Sequence, residues 1–270
     1  MFAPGHITGF FVICKSSNKL KTGSIGAGIT IDRGVNVELK EGNGSIFYNN
    51  KKVNICAVEK VIEHYKKFGY NDDYDIIFSS DFPLGSGLGM SGGCALILAK
   101  KLNEMLNLNE NYAEIAHISE VECGTGLGDV IAQYVKGFVI RKTPGFPINV
   151  EKIVVDDDYY IIIEIFGKKE TKEIITNDIW IKKINEYGER CLNELLKNPT
   201  LENFVNLSYE FAVNTGLINE KILSICEDLK FTVGASQSML GNTLFCISKK
   251  ETLEDALSIL KNPIVCNIYY

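Results

Sequence analysis

A glycine-rich segment, PLGSGLGMSGG at residues 83–93, has the composition of a site for an anion. It follows DYDIIFSS, which is typical of a strand, and it precedes CALILAKKLNEMLN, whose apolar residues form one helical stripe. The segment is therefore predicted to be a strand-to-helix loop. At a helix N-terminus, unpaired backbone N–H groups and the helix dipole both favour negative charge, and glycines let a phosphate approach the backbone.

Three known loop types compete for this pattern. A Walker loop needs a lysine, and none occurs between Pro83 and Ala99. Gly87, Gly89 and Gly92 match the spacing of dinucleotide-binding loops, but the acidic residue expected about 20 residues later, after a second strand, is missing. A protein kinase would carry H-R-D and D-F-G motifs, which the chain lacks. A helix entry made tight by packing glycines is a further alternative.

Strands and helices are predicted on both sides of this loop. Strands are predicted in HITGFFVIC, GAGITI, YYIIIEI and IVCNIYY, and VNVELKEGNGSIFYNN is predicted to form a hairpin with its turn at residues 42–44. Helical patterns cover residues 53–69, 110–122, about 172–230 and 252–261, and another helix is expected after GLGD. The two prolines of GFVIRKTPGFPINV indicate a change of layer, which places a domain boundary near residue 145. The second half is expected to be α+β with an antiparallel sheet.

Composition and charge exclude several classes of protein. The 270 residues are 46% hydrophobic and 23% charged, which is ordinary for a globular chain. The formal net charge is −6 and no basic stripe is evident, so we expect no dedicated nucleic-acid partner. We also expect no membrane partner, because no apolar run approaches the roughly 20 residues that cross a bilayer and the N-terminus does not resemble a signal peptide.

The cysteines are scattered through the chain without a C-x-x-C pair, at positions 14, 56, 94, 123, 191, 226, 246 and 266. This distribution favours reduced thiols in a cytoplasmic protein over a disulfide scaffold. His117, Glu120 and Cys123 recur every three residues, but they are too few to form a zinc site.

Three motifs in the chain resemble those of the GHMP kinases, the family of galactokinase, homoserine kinase, mevalonate kinase and phosphomevalonate kinase. Residues 83–93 match the family's phosphate loop, P-x-G-[ST]-G-L-G-S-S-[AG]-[AG], with Met90 where serine is usual. FAPGHITGFF, residues 2–11, resembles the first motif, with His6 in place of its lysine. GASQSMLGNTLFCI, residues 234–247, resembles the third motif.

The resemblance implies both a fold and a nucleotide site. The fold would be α+β, the two-domain GHMP kinase fold, with a ribosomal protein S5 domain 2-like N-terminal domain at residues 1–145. A ferredoxin-like C-terminal domain would occupy residues 146–270. The adenine would lie near residues 51–57. ATP would be bound through its phosphates by Pro83, Gly85, Ser86, Gly87, Leu88, Gly89, Met90 and Ser91.

GTGLGDVIAQ, residues 124–133, resembles the family's catalytic Asp element at a helix start, so the resemblance implies Asp129 as the catalytic carboxylate. Such a carboxylate orients the acceptor hydroxyl or takes its proton, and both roles stay open. Capping of the following helix is the alternative. His6 is the second catalytic candidate, because a histidine can donate a hydrogen bond without a fixed charge. The alternative is a strand histidine satisfied by its neighbours.

Mg²⁺ is the cofactor that the resemblance implies beside ATP. The ion prefers oxygen ligands, usually one or two carboxylates in addition to phosphates and water. Ser91 offers a hydroxyl, and the family places a Glu on the helix before the Asp element. Glu120 is the favoured ligand there, with Glu122 as the alternative.

Within the family, APGHITGFF, GSIGAGITI and GTGLGDVIAQ look most like the archaeal pantoate kinases, which phosphorylate the terminal hydroxyl of pantoate to 4-phosphopantoate in coenzyme A biosynthesis. Ile25 stands where that branch has a basic residue. A carboxylate substrate needs a cation, and Arg141 is the favoured candidate, the alternative being a surface strand arginine. The other residues expected to contact the substrate are His6, Thr8, Ser24 and Gly26.

The sequence leaves two other functions open. One is a different GHMP kinase, of the homoserine, shikimate or mevalonate type. The other is a nucleotide-binding relative without catalysis, against which the presence of Asp129, Glu120 and Ser91 speaks. Homodimer formation is also open.

Overall fold

The computed structural model describes residues 1–156, 158–168, 174 and 176–270. Its larger sheet has the strand order β4-β3-β5-β2-β6-β7, with β1 paired to β2. The strands are β1 (Phe2–Cys14), β2 (Gly23–Glu41), β3 (Ile46–Tyr48), β4 (Lys51–Lys52), β5 (Tyr74–Ser80), β6 (Phe138–Arg141) and β7 (Val150–Ile153). The long β2 pairs with β6 through its first half and with β5 through its second half. It therefore connects the two regions that carry the candidate residues.

Four helices of the first half accompany this sheet: α1 (Cys56–Lys66), α2 (Met90–Met105), α3 (Tyr112–Cys123) and α4 (Asp129–Val135). The helix α2 packs against β1 and β2 as well as α1, α3 and α4. Its residues 92–99 are buried without interruption, so it is apolar on all sides rather than along one stripe. Because α2 is packed on all sides, its N-terminus has a fixed position. The loop before it can leave that end accessible to a ligand.

A second, antiparallel sheet has the strand order β11-β8-β10-β9. It consists of β8 (Tyr159–Gly167), β9 (Gly234–Ser238), β10 (Asn242–Lys249) and β11 (Ile264–Cys266). The accompanying helices are α5 (Asp178–Lys197), α6 (Leu201–Thr215), α7 (Glu220–Asp228) and α8 (Lys250–Ile259). This arrangement confirms the α+β fold with an antiparallel second sheet. The domain boundary near residue 145 stays a prediction.

Aromatic packing joins the two halves of the chain. Phe211 of α6 lies 5.7 Å from Phe11 of β1 and 6.5 Å from Phe10, measured between ring centroids. Phe204 of the same helix lies 6.2 Å from Phe10. Because such rings bury large apolar areas, they fix the second half against β1, which also carries His6 and Thr8. No helix of the described ranges is long and apolar enough to cross a membrane.

The predicted hairpin around residues 42–44 is wrong. β3 does not pair with β2; it runs parallel to β5, with Ile46 opposite Ile76. Asp75 of β5 accepts hydrogen bonds from the backbone N–H groups of Asn43 and Ser45, at 3.0 and 2.9 Å. These bonds fix the segment where the chain crosses the end of β5. As a result, β5 lies between β2 and β3 in the sheet.

The prediction that all cysteines are reduced is also wrong. Cys56, the first residue of α1, forms a disulfide with Cys123, the last residue of α3. The two helices pack side by side and bring the Cα atoms to 5.9 Å, although 67 residues separate them in sequence. The disulfide excludes Cys123 as a zinc ligand.

We expect the disulfide to contribute measurably to stability. A cross-link that closes 67 residues restricts the unfolded chain, which corresponds to about 4 kcal/mol in the unfolding free energy. Cys56→Ser should lose that amount in guanidinium unfolding, and reduction of the wild type should do the same. Cys14→Ser, which removes a free thiol, is the control and should change little. Equal unfolding midpoints for the oxidised and reduced wild type would contradict the expectation.

Candidate active site

The predicted phosphate loop, residues 83–93, consists of most of the connection 81–89 between β5 and α2 together with the first turn of α2. Gly85, Gly87 and Gly89 have φ angles of 80°, 84° and 70°, which other residues rarely adopt. Gly89 is the N-cap of α2 and makes no side-chain cap, so the first N–H groups of the helix are not covered by a capping side chain. The predicted strand-to-helix loop is confirmed in its position.

A cleft lies on the open side of this loop. The loop forms one wall, the segment 125–129 forms the facing wall, and β1, β2, β6 and the β9–β10 turn close the remainder. The side chains and glycines that line it are Thr8, Phe11, Ser24, Gly85, Gly87, Gly89, Met90, Ser91, Gly92, Glu120, Thr125, Gly126, Leu127, Gly128, Asp129, Arg141, Met239 and Leu240. The cleft thus combines residues from all three sequence motifs and from the segment with Asp129.

Glu120 lies at the base of the cleft and is almost fully buried. Its Oε1 accepts hydrogen bonds from the hydroxyls of Ser91 and Thr125, at 2.6 and 2.7 Å. Burial raises the pKa of Glu120 to about 7, since an ionised carboxylate is disfavoured away from water. Gly126 gives the carboxylate room, because a Cβ on that glycine would lie 2.0 Å from Oε2. Glu122 points elsewhere and pairs with Lys19 at 2.6 Å.

This burial predicts a pH-dependent cost in the protein without nucleotide. The folded pKa of about 7 lies above the usual value of 4.5, so the free energy of unfolding falls as pH rises from about 4.5 to about 7 and stays at the lower level above that. The shift corresponds to about 3 kcal/mol. We expect the free energy of unfolding of Glu120→Gln, relative to wild type, to rise by that amount between pH 5 and pH 8.5. Urea unfolding with a chelator present, so that no metal ion binds, measures this difference. Glu122→Gln should show no such gain, and a pH-independent difference for Glu120→Gln would contradict the prediction.

Asp129 lies at the first turn of α4, facing the phosphate loop. It does not cap that helix, whose N-cap is Gly128. Its Oδ1 accepts a hydrogen bond from Nδ1 of His6 at 2.6 Å, and its side chain is 25% exposed to the cleft. Burial lowers the pKa of His6, which keeps the imidazole neutral near pH 7. The neutral ring therefore carries its proton on Nδ1 and holds Asp129 in place.

The other ring nitrogen of His6 faces the protein interior. Nε2 has no hydrogen-bond partner among the described residues, and a Cβ on Gly28 would come within 2.3 Å of it. His6 does not line the cleft, whereas its neighbour Thr8 does. The hydroxyl of Thr8 lies 3.3 Å from Nδ1 of His6. His6 thus reaches the cleft only through Asp129 and Thr8.

Arg141 is a buried cation beside Asp129. It ends β6, is 1% exposed, and lies under Gly128, where a Cβ would come within 2.9 Å of Nε. Nε and Nη1 have no hydrogen-bond partner in the described part of the chain, and Nη2 donates only a long bond, 3.5 Å, to the hydroxyl of Ser24. Burial lowers the pKa of Arg141 to about 10, so the group still carries a proton at neutral pH. A buried cation with free donors is a ready site for an anion.

Several predicted site residues lie behind the cleft rather than in it. Leu88 is fully buried in the core, and the hydroxyl of Ser86 is buried without a partner among the described residues. Neither these two nor Pro83 and Gly26 line the cleft. Their contribution to a ligand site is limited to backbone groups and to the shape of the loop.

Some cleft and supporting residues were missed in the sequence. Thr125 and Leu127 lie in the quoted segment 124–133, and Met239 and Leu240 lie in the third motif. Gln133 is buried and donates to the carbonyl of Gly89 at 2.9 Å. A signal for Gln133 was present, since it follows Asp129 by four residues and so shares its face of α4.

No group of three or more His, Cys, Asp or Glu side chains suited to a metal ion occurs among the residues that the structure describes. The cleft instead offers two carboxylates, Glu120 and Asp129, and the hydroxyls of Ser91 and Thr125 both lie next to Glu120. Mg²⁺ commonly takes few protein ligands and completes its shell with phosphate oxygens and water.

Comparison with known proteins agrees with this geometry. The family model "GHMP kinases N terminal domain" matches residues 54–137. A pantoate kinase from Thermococcus kodakarensis is 32% identical over 97% of this chain and 91% of its own length. A pantoate kinase from Methanospirillum hungatei is 30% identical over 92% of this chain and 87% of its own length.

Among solved structures, a phosphotransferase related to the CoA biosynthesis pathway superposes with a TM-score of 0.86 at 30% sequence identity. The match covers 99% of this chain and 95% of that protein. Sequence and fold therefore agree over nearly the whole length. The chain belongs to the GHMP kinase family.

Proposed function

We propose that the chain transfers the γ-phosphoryl group of ATP to the terminal hydroxyl of pantoate, forming 4-phosphopantoate and ADP. The observation that carries the proposal is Arg141, a buried cation in the same cleft as the phosphate loop and Asp129, with two donors that bind no other residue of the described ranges. Such a group is expensive to bury unless an anion completes it. The pantoate kinases named above, similar over most of their length, support pantoate as that anion.

In the proposed complex, the triphosphate lies on the glycine loop. The N–H groups of residues 87–91 and the N-terminus of α2 together favour negative charge there. Adenine would lie near residues 51–57, outside the cleft described here. Enclosure by the loop aligns the γ-phosphorus with the acceptor, which is the main demand of phosphoryl transfer on the protein.

The acceptor hydroxyl is assigned to Asp129. Oδ1 is held by His6, so Oδ2 is the oxygen available to the substrate. The hydroxyl oxygen of pantoate attacks the γ-phosphorus, the bond from that phosphorus to the bridging β-oxygen breaks, and ADP leaves. The hydroxyl proton passes to Asp129 or, if Asp129 only orients the group, to water. His6 fixes Oδ1 and is in this sense a positioning residue.

Arg141 and Ser24 are assigned to the carboxylate of pantoate. The planar guanidinium can donate two parallel hydrogen bonds to a carboxylate. Thr8 lies in the same cleft and can bind the second hydroxyl of the substrate. Gly26 contributes through the backbone of β2, where it is paired with Arg141.

The residues present fit Mg²⁺, which we assign to Ser91 and Glu120. The hydroxyls of Ser91 and Thr125 both donate to Oε1 of Glu120, which leaves Oε2 for another partner. When bound, the ion would offset negative charge on the phosphate oxygens. Ionised Glu120 is the form that accepts a cation, and because its pKa is raised to about 7, a nearby positive charge favours that form at neutral pH.

An assay of ADP release with pantoate, homoserine, shikimate and mevalonate tests the proposal. All four acceptors carry a carboxylate, so Arg141 alone does not distinguish among them. Pantoate is the expected acceptor because the relatives named above are pantoate kinases. We expect kcat/KM to be at least about 100-fold higher for pantoate, the size of effect that a well-fitted polar site produces. Faster turnover of another acceptor would identify that acceptor as the substrate instead of pantoate. No turnover with any of the four would favour a non-catalytic protein. A cytoplasmic location and homodimer formation stay predictions.

A further inference from the structure

Two hydroxyls from the second sheet hold carbonyl oxygens of the phosphate loop. Thr243 of β10 donates from Oγ1 to the carbonyl of Ser86 at 2.6 Å. Ser238 of β9 donates from Oγ to the carbonyl of Gly87 at 2.7 Å. Both donors are fully buried, so neither bond competes with water.

The next two carbonyls of the loop are also held from outside it. The backbone N–H of His6 donates to the carbonyl of Leu88 at 3.0 Å. Gln133 donates from Nε2 to the carbonyl of Gly89 at 2.9 Å. All the carbonyls of residues 86–89 therefore accept a hydrogen bond from another part of the chain.

The positions of these carbonyls determine where the loop's N–H groups point. Within one peptide plane the C=O and the following N–H face opposite ways, so carbonyls turned into the protein direct the next N–H groups away from it. In the described ranges, the N–H groups of Gly87, Leu88 and Gly89 donate to no backbone carbonyl. The glycines of the loop line the cleft on that side.

The turn between β9 and β10 is packed directly on the loop backbone. A Cβ on Gly241 would lie 2.1 Å from the carbonyl oxygen of Ser86, and one on Gly87 would lie 2.4 Å from Cα of Gly241. The backbone N–H of Met239 donates to the carbonyl of Thr8 at 2.9 Å, which ties the same turn to β1. The turn cannot shift without moving the loop.

We propose that Ser238 and Thr243 are positioning residues for the nucleotide: their hydroxyls hold the phosphate loop in its anion-binding conformation before ATP arrives. The inference rests on the proposed ATP site and extends it to the second half of the chain. Neither Ser238 nor Thr243 lines the cleft, so their effect is on the fraction of the free protein whose loop has the anion-binding conformation. If the loss of one bond leaves about a tenth of the free protein with its loop in the anion-binding conformation, the apparent Kd for ATP rises about tenfold.

The test measures ATP binding by calorimetry together with KM for ATP and for pantoate. Thr243→Val keeps the shape of the side chain but removes the donor, and Ser238→Ala removes the other donor. Each should raise the Kd and KM for ATP about tenfold while KM for pantoate changes less than about twofold. Thr243→Ser keeps a hydroxyl and should recover most of the ATP affinity.

Ser236→Ala is the matched control. Ser236 lies two residues before Ser238 on the same face of β9 and is equally buried, but its hydroxyl has no hydrogen-bond partner among the described residues. Its removal should leave ATP binding unchanged. If Ser236→Ala weakened ATP binding as much as Ser238→Ala, or Thr243→Ser as much as Thr243→Val, the inference would be overturned. Unchanged ATP affinity in both donor variants would overturn it as well.

The two proposals fail in different ways. A wild type that binds ATP but does not phosphorylate pantoate would remove the proposed substrate, and the calorimetric comparison would still decide the role of the two hydroxyls. A wild type that phosphorylates pantoate and donor variants with unchanged ATP affinity would remove only the loop inference. Melting temperatures without nucleotide accompany each measurement, and Ser238→Ala, the smaller change, decides the case if Thr243→Val does not fold.

Discussion

Replacing Asp129 with asparagine is expected to reduce kcat by about 10²–10⁴-fold while the Kd for ATP stays within about twofold. Asparagine keeps the size of the side chain, and its carbonyl oxygen can still accept the hydrogen bond from His6 that Asp129 accepts at 2.6 Å. What disappears is the negative charge and the capacity to take a proton from the acceptor hydroxyl. Single-turnover rates and calorimetry with ATP separate the two effects.

Glu122→Gln is the matched control for this experiment. Glu122 is a carboxylate on the adjacent helix α3, but it pairs with Lys19 outside the cleft, so its amide variant should turn over normally. The size of the loss at Asp129 also decides between its two roles. A loss of at least about 100-fold indicates proton transfer, and a loss near tenfold indicates orientation of the hydroxyl. A kcat within about threefold of wild type would contradict both.

The loop and the helices around it could be located from the sequence because their signals are local, whereas Asp129 was found through the resemblance of residues 124–133 to the family's catalytic element. Residues 83–93 carry their conformation in their own glycines, three of which have positive φ angles in the structure. The choice between Glu120 and Glu122 was also decidable. Residues 113, 116 and 120 share the buried face of α3, whereas position 122 lies about 200° from 120 around the helix.

Contacts between distant parts of the chain could not be predicted in this way. The Cys56–Cys123 disulfide depends on how α1 packs on α3, and the parallel pairing of β3 with β5 depends on a loop fixed by Asp75. The support of the phosphate loop by Ser238 and Thr243 spans more than 150 residues, as the separations of 151 and 157 show. The third motif indicated that this segment belonged to the family, but its hydroxyls gave no sign of their partners.

Arg141→Met is expected to raise KM for pantoate about 100-fold, because removing one member of a buried charge pair costs several kcal/mol. Methionine fills similar space without a charge. The free enzyme should be no less stable, since the guanidinium loses hydration on burial and, among the described residues, gains one long hydrogen bond, to Ser24. KM for ATP should be unchanged. Arg190→Met, which removes an arginine that is 65% exposed near Glu210, is the control and should leave KM for pantoate unaltered.

An amide analogue of pantoate makes this test specific to the carboxylate. Wild type should use the amide about 100-fold less well than pantoate, whereas Arg141→Met should barely distinguish the two, because the lost interaction is the same in both cases. Arg141→Lys keeps the charge but loses the planar pair of donors, so its KM should fall between those of wild type and Arg141→Met. If Arg141→Met still preferred pantoate over the amide by the wild-type factor, the carboxylate would bind elsewhere in the cleft, and the argument for an acidic substrate would lose its physical basis.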